Sequence, residues 1–369
     1  MRVRTRRAAA AVAALAVAAG ASGCAIGDAR PVSPAKLALG GLGAAASAQA
    51  EMRGLYKKAV DGGETMVIVY GPNETNYGPV NAAFGKRFPG IKVIGEPYTG
   101  AQLESRLAVE HSSGKHVADV LEDTSYTYRN LGYNQPFTPA TAARLGAAFR
   151  DDTGQLWGPS GTLFGFSYNT QKIKPADAPA RWSDLVAPRF KGEAATGDPG
   201  QPSATSDALI KLQAAGVIDD TWLRRLAADK PGIEQELELA NSSVARGEYG
   251  ISLVNIFNFY AADRAKGAPL RFVYPKDGVV IEPNYYGVAR GAPHPAAARL
   301  FLDWLFTSEA QRAYAGLGVY PLMPGAPTGR QLPPMKSLNV LKVPDPTAMD
   351  KLWDPGTAKL RKYLGGAAD

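Results

Sequence analysis

The sequence predicts an α/β protein with two folded units, and three observations predict it. Strand-like runs such as Thr65-Met-Val-Ile-Val-Tyr70 alternate with segments whose apolar residues recur at helical spacing. The alternation stops at a proline-rich connection over 175–179 and then starts again. The chain has 369 residues, and lengths of this order usually divide into domains of about 100–200 residues.

The first strand is closed by Gly71-Pro72 and leads into a helix carrying Val80, Phe84 and Phe88 four apart. Pro89-Gly90 separates this helix from a strand over 91–94, which is followed by a helix over 101–109 and a strand over 117–121. This order predicts a mostly parallel sheet. A long strand follows at 163–168, and a second cycle runs through a short strand at 193–196, the turn Asp198-Pro-Gly200, a helix over 205–215 closed by Gly216, a helix over 223–228 and a strand over 251–255. Beyond the turn at 266–269 come strands over 271–274 and 279–288. A helix over 296–306 then places Ala297, Leu300, Phe301, Trp304 and Leu305 on one broad apolar side, which needs a core to cover it. This last third is expected to return to the first unit. Residues 331–369 are rich in proline and end in a short basic helix over 357–364, with Leu360 and Leu364 placed to dock.

The start of the chain reads as an export signal. Arg2, Arg4, Arg6 and Arg7 precede an apolar stretch, residues 8–19, that is too short to span a membrane, and Ala21-Ser22-Gly23 supply small residues before a cut. The single cysteine, Cys24, follows directly, which makes it a candidate lipid-anchor site, although Ala21 stands where leucine is usual in a bacterial lipobox. Cleavage at another small-residue site is the competing reading. Arg6-Arg7 also resembles a twin-arginine pair. Removing residues 1–23 lowers the formal charge from +7 to +3, so nothing points to nucleic-acid binding. With one cysteine there is no intramolecular disulfide and no thiol-rich metal site. Residues 24–50, dominated by Ala, Gly and Ser, read as a tether, the competing reading being a short helix over 41–60 packed on the body.

An ordered set of short stretches resembles the type II extracellular solute-binding proteins of ABC importers, in the branch that binds ferric iron, phosphonates and sugar phosphates. The stretches are Leu55-Tyr-Lys-Lys-Ala59, Val69-Tyr70, Ala83-Phe84 with Phe88-Pro-Gly-Ile-Lys-Val93, Ala118-Asp119-Val120, Gly165-Phe-Ser-Tyr-Asn-Thr170, Trp182-Ser-Asp-Leu185, Arg246-Gly-Glu248, and the run from Gly291 through Ser308-Glu-Ala-Gln311 to Tyr320-Pro321. The resemblance covers residues 51–330. It implies a two-lobed periplasmic-binding-protein-like fold with mixed central sheets joined by hinge strands near 158–168 and 270–280. One lobe would hold 51–162 plus 273–369, the other 163–272, and solute would be held as the lobes close. It also implies an exported, monomeric protein on the outer face of the cytoplasmic membrane, with an importer permease as partner, no cofactor and no resident metal.

The residues themselves nominate the contacts. Asn73 and Glu74 follow a buried strand at the carboxyl end of the sheet, where open α/β sheets present ligand groups, against the plainer roles of turn cap and first-turn acid. Thr124 and Ser125 follow the strand over 117–121 at a second such edge, with turn capping as the competitor. Ser203 and Thr205 open a helix after a flexible turn, an arrangement that either holds an anion or simply caps the helix. Asn258 and Tyr260 lie where the iron binders of the branch carry adjacent tyrosines. Phe259 occupies the first matching position, so that pair is broken. In a regular strand Tyr285 and Tyr286 point to opposite sides, and Tyr285 is taken as the one facing the cleft. A hydroxylated aromatic suits a small organic, anionic solute. Ferric iron, or a sensor or adaptor use of the same fold, is the alternative.

His111, His116 and His294 form no metal or catalytic spacing, and the chain has no Gly-x-Ser-x-Gly elbow and no phosphate-binding Gly-rich loop. Binding rather than catalysis is therefore expected.

Overall fold

The computed structural model describes residues 30–98, 100–201, 203–328 and 332–365; the expected export segment and Cys24 lie outside the described residues. The first helix, α1 (Ala46–Asp61), buries Ala48, Met52, Leu55, Tyr56 and Ala59 along one face. A βαβαβ run follows through β1 (Met66–Tyr70), α2 (Gly78–Arg87), β2 (Lys92–Glu96), α3 (Gly100–Ser113) and β3 (Val120–Asp123), with β1 parallel to both β2 and β3. The short α4 (Thr127–Asn130) leads toward the long β4 (Trp157–Asn169).

The second cycle comprises β5 (Ala194–Gly197), α5 (Ala204–Ala214), α6 (Asp220–Ala228), β6 (Gly232–Glu234), α7 (Leu237–Ala245) and β7 (Ile251–Ile256), and β5 runs parallel to β6 and β7. The return passes through α8 (Phe257–Ala265), β8 (Leu270–Val273), β9 (Val280–Val288), α9 (Pro295–Trp304), α10 (Ser308–Gly316) and β10 (Tyr320–Pro321), and α11 (Pro346–Leu364) closes the chain.

All strands belong to one sheet in the order β2-β1-β3-β9-β4-β7-β5-β6, with β8 and β10 also paired to β4. The expected parallel pairing holds at the flanks. The centre is antiparallel because β9 inserts between β3 and β4, matching Val120 with Val288 on one side and Leu163 with Ile281 on the other. At 13 residues, β4 is about 40 Å long, enough to serve two cores. Its Trp157 and Leu163 pack in the first core with α1, α2, α9 and α10, while Phe164, Phe166 and Tyr168 pack in the second with Trp182, α5, α6 and β7. β9 also touches both cores where it begins, Ile281 the first and Val280 the second.

Two segments correct the sequence reading. The described part of the expected tether is packed down: Leu37, Leu39 and Leu42 are buried in the first core, the Val32 amide donates to the Tyr56 hydroxyl at 3.0 Å, and the Ser308 amide donates to the Leu42 carbonyl at 2.8 Å. Three leucines anchor a stretch whose Ala/Gly composition suggested a linker. The expected eight-residue terminal helix is the 19-residue α11, which runs through Pro355. Met349 and Leu360 of this helix are buried in the second core, so it packs there and not on the first unit.

Candidate functional site

The loop after β1 and the end of β3 meet at one sheet edge. The amide and side chain of Asn73 both donate to Glu122, at 3.2 and 2.7 Å. Glu122 is fully buried. Burial, reinforced by the nearby charge of Glu74, pushes its carboxyl up to about 8 against the opposing bonds from Asn73. Glu74 is also buried, accepts from the Asn81 amide at 2.9 Å, and is pushed up by desolvation to about 7. It fills the space left by Gly95 on β2, where an added Cβ would stand 2.3 Å from the Glu74 Oε2. Asn73 and Glu74 are thus at the predicted edge, where in this arrangement Asn73 bonds to Glu122 and Glu74 to Asn81.

Tyr77, on the same loop, extends the cluster. Its hydroxyl receives the Asn284 side-chain amide at 2.9 Å, which ties β9 to the β1–α2 loop, and the same amide lies 3.4 Å from the Ser160 hydroxyl on β4. Burial first, and then the charges of Glu122, Tyr314 and Glu74, raise the Tyr77 phenol well above its usual range; Tyr286 is raised in the same way. Among the described residues, Glu74 Oε1 and Asn284 Oδ1 are buried without a hydrogen-bond partner. Carboxyl, amide and phenol oxygens from the β1–α2 loop, β3, β9 and α10 therefore lie close together, buried beside the first core. Sequence reasoning missed Tyr77 and Asn284; the available signal was a polar residue, Asn284, within a strand otherwise destined for burial.

Thr124 and Ser125 stand at the next step of this edge. The Thr124 amide donates to Asp123 at 2.8 Å, and the Ser125 hydroxyl bonds to Asp123 and to Thr127, the latter at 2.9 Å. Ser125 and Tyr285 line one narrow crevice, too tight to hold a water molecule, with Asp123, Tyr128, Arg129, Asn134 and Leu156. Tyr285 is 2 % exposed and meets the Tyr126 ring edge-on at 5.1 Å. Strand alternation sends Tyr285 and Tyr286 to opposite sides as expected, and in this arrangement both sides are covered.

The other candidates lie on separate edges. The Ser203 hydroxyl accepts from the Ser206 amide at 3.2 Å and donates to the Asp198 carbonyl at 3.0 Å, so it caps α5. Ser203→Ala is expected to cost about 1 kcal/mol of stability in urea unfolding. Thr205 is fully buried with its hydroxyl 3.5 Å from that of Thr196, which removes it from solute contact in this arrangement. Asn258 and Tyr260 are half-buried on α8, where Tyr260 packs on Phe257 and Phe272 at 5.6 and 5.5 Å, and Phe259 packs at the second core. Among the described residues, no group of three or more His, Cys, Asp or Glu side chains is arranged to hold a metal ion. No described helix is long and apolar enough to cross a membrane.

Residues 125–351 match the family model described as bacterial extracellular solute-binding protein. An uncharacterized protein of Haemophilus influenzae is 29% identical over 160 residues, covering 40% of this chain and 44% of that protein. A probable ABC transporter periplasmic-binding protein of Sinorhizobium fredii is 22% identical over 248 residues, covering 62% of this chain and 66% of its own length. The chain thus spans less than two thirds of these curated relatives. Iron-bound HitA from Pseudomonas aeruginosa superposes with a TM-score of 0.67 at 21% identity, covering 81% of this chain and 99% of that one. AfuA from Actinobacillus pleuropneumoniae, with fructose-6-phosphate bound, gives 0.65 at 18%, covering 81% and 98%. With two cores threaded by β4 and β9, and a family match across 125–351, this chain belongs to the bacterial extracellular solute-binding proteins and has their type II fold.

Proposed function

We propose that this protein captures a small solute outside the cytoplasmic membrane, between the halves built on its two cores, and delivers it to an ABC importer. The observation that carries this reading is the pair of cores threaded by β4, with a buried polar cluster from the β1–α2 loop, β3 and β9 on the first-core side. The relative from Sinorhizobium fredii named for an ABC transporter supports the importer as partner.

For the solute, ferric iron is the first candidate. The iron-bound relative supports it; Glu74, Glu122, Tyr77, Tyr286 and Tyr314 would offer a trivalent cation hard oxygen donors only in an arrangement of the halves that uncovers them. The loss of a phenol at Phe259 counts less against iron than the sequence suggested, because Phe259 packs at the second core. A phosphorylated organic anion is the second reading, supported by the relative that holds fructose-6-phosphate and by the turn ahead of α5.

The test is thermal unfolding of protein stripped of solute by unfolding and refolding, against ferric citrate, citrate alone, sugar phosphates and phosphonates. A saturable rise of several degrees with ferric citrate but not citrate, with a visible phenolate-to-iron absorption band, is the expected result. A rise confined to the phosphorylated compounds transfers the assignment to an organic anion, and no rise with any member of the panel overturns solute capture of these classes.

A further inference from the structure

The segment after β10 is a third connection between the two cores. Leu332, Met335, Leu338 and Val340 pack on the first core, whereas Leu341, Val343, Met349 and Leu360 pack on the second. The change of side falls beside the start of the crossing strand: the Val279 amide donates to the Asn339 carbonyl at 2.8 Å, and the Leu341 amide donates to the Val279 carbonyl at 2.9 Å. Gly278 makes room for this crossing, since at its φ of +132° an added Cβ would lie 2.3 Å from Leu341. Beyond it α11 is fastened to the second core along its length. Arg361 donates from Nε to the Gly200 carbonyl at 3.0 Å, and Lys359 pairs with Asp220 at 3.2 Å.

The first turn of α11 nevertheless reaches back to the first half of the molecule. Arg129, on α4 just after the Ser125–Tyr126 edge, sits over the Tyr126 ring at 4.2 Å, pairs with Asp151 at 3.3 Å, and places Nη2 3.4 Å from the Thr347 hydroxyl. Asp345 and Asp350 of this turn lie close enough to influence Tyr126 and Asp123 electrostatically. A helix held by one core thus touches a cationic side chain held by the other, while residues 339–341 pivot beside β9.

We propose that residues 338–364 form a strap whose Arg129–Thr347 contact favours the closed arrangement of the two halves and limits how far they part. The strap rests on the reading that the halves move about the crossing strands. When they separate, the pairing at Val279 stays in place and the contact at Arg129 is the one that must break. The net bias is small, because the contact is exposed and worth little by itself, so it shifts populations rather than locking one state.

The test uses two spin labels, at Ser112→Cys near the end of α3 and at Lys191→Cys before β5, both exposed sites, in protein carrying Cys24→Ala. Thr347 is exposed, so it can be changed without touching either core. Thr347→Lys sets a like charge against Arg129 and is expected to raise the long-distance population two- to fivefold; Thr347→Glu gives Arg129 an ion partner and is expected to lower it. Two distance populations whose ratio neither variant alters would overturn the strap and leave the moving cleft standing. A single unchanged distance in all three proteins, with and without ferric citrate or fructose-6-phosphate, would overturn the moving cleft and the strap with it.

Discussion

Lys211→Met is expected to cost about 3–5 kcal/mol of unfolding free energy at neutral pH, because it strips a buried cation from two buried acids. Lys211 on α5 donates to Asp207 at 2.6 Å, one turn earlier, and to Glu282 on β9, and all three side chains are largely shielded. Burial alone would pull the ammonium down, but the adjacent Asp207 and Glu282 push harder, and the net shift is upward. Glu282 is raised by burial and by Asp207, with Lys211 opposing. Methionine fills the volume of the lysine stem but leaves both acids unpaired. Without the ammonium, the folded pKa of Glu282 rises further above its unfolded value, so the variant binds more protons folded than unfolded, and its stability increases as pH falls. The deficit measured by urea unfolding should therefore be larger at pH 8 than at pH 5. A variant that also carries Asp207→Leu and Glu282→Leu should recover much of the loss, since apolar replacement of a whole buried ion cluster is often close to neutral. A uniform deficit of less than about 1 kcal/mol at both pH values would show that the cluster is solvated and does not pin α5 to the crossing strand.

Glu122→Gln is expected to stabilise the protein, and mainly at high pH. The carboxyl is raised from its usual value to about 8, chiefly by burial. A raised acid contributes its full stability below the unfolded pKa and loses it as pH climbs through the folded one, so from this group the wild-type protein weakens between about pH 4.5 and pH 8. Glutamine keeps the shape of the neutral acid. Its oxygen can accept the Asn73 amide, and its NH₂ can donate to the Asn73 side chain once that amide is turned over. The expected gain is about 3 kcal/mol at pH 8 and under about 1 kcal/mol at pH 5, read as two urea curves per protein. An equal change at both pH values would mean that Glu122 is ionised in the folded protein throughout this range.

The local grammar of the chain was readable because period and punctuation are local properties. The apolar face of α9 and the run that became β7 lie where spacing put them. Gly71-Pro72 ends β1 as predicted, and the turn after it carries a polar cluster. The same reasoning could not see which way a polar side chain turns. Asn73 and Glu74 were nominated as groups offered to a solute, and they bond instead to Glu122 and Asn81, partners 49 and 7 residues away. Thr205 and Tyr285 pose another difficulty: a hydroxyl at a helix start and a phenol on a strand are equally at home in a core, and both are buried in this arrangement.

Composition misled where a few residues outweighed the average. Leu37, Leu39 and Leu42 bury a stretch that otherwise reads as linker, because three apolar anchors can outweigh the ordering cost of short glycine-rich segments. Periodicity and turn residues were enough to place an α/β protein of two folded units, since each acts over a few neighbouring residues, while the solute-binding reading came from the resemblance of its ordered short stretches. The insertion of β9 between β3 and β4, the packing of α11 on the second core and the inward turn of the polar cluster depend on contacts between residues tens to hundreds of positions apart, and the free energy of such contacts is set by what the folded chain excludes from water.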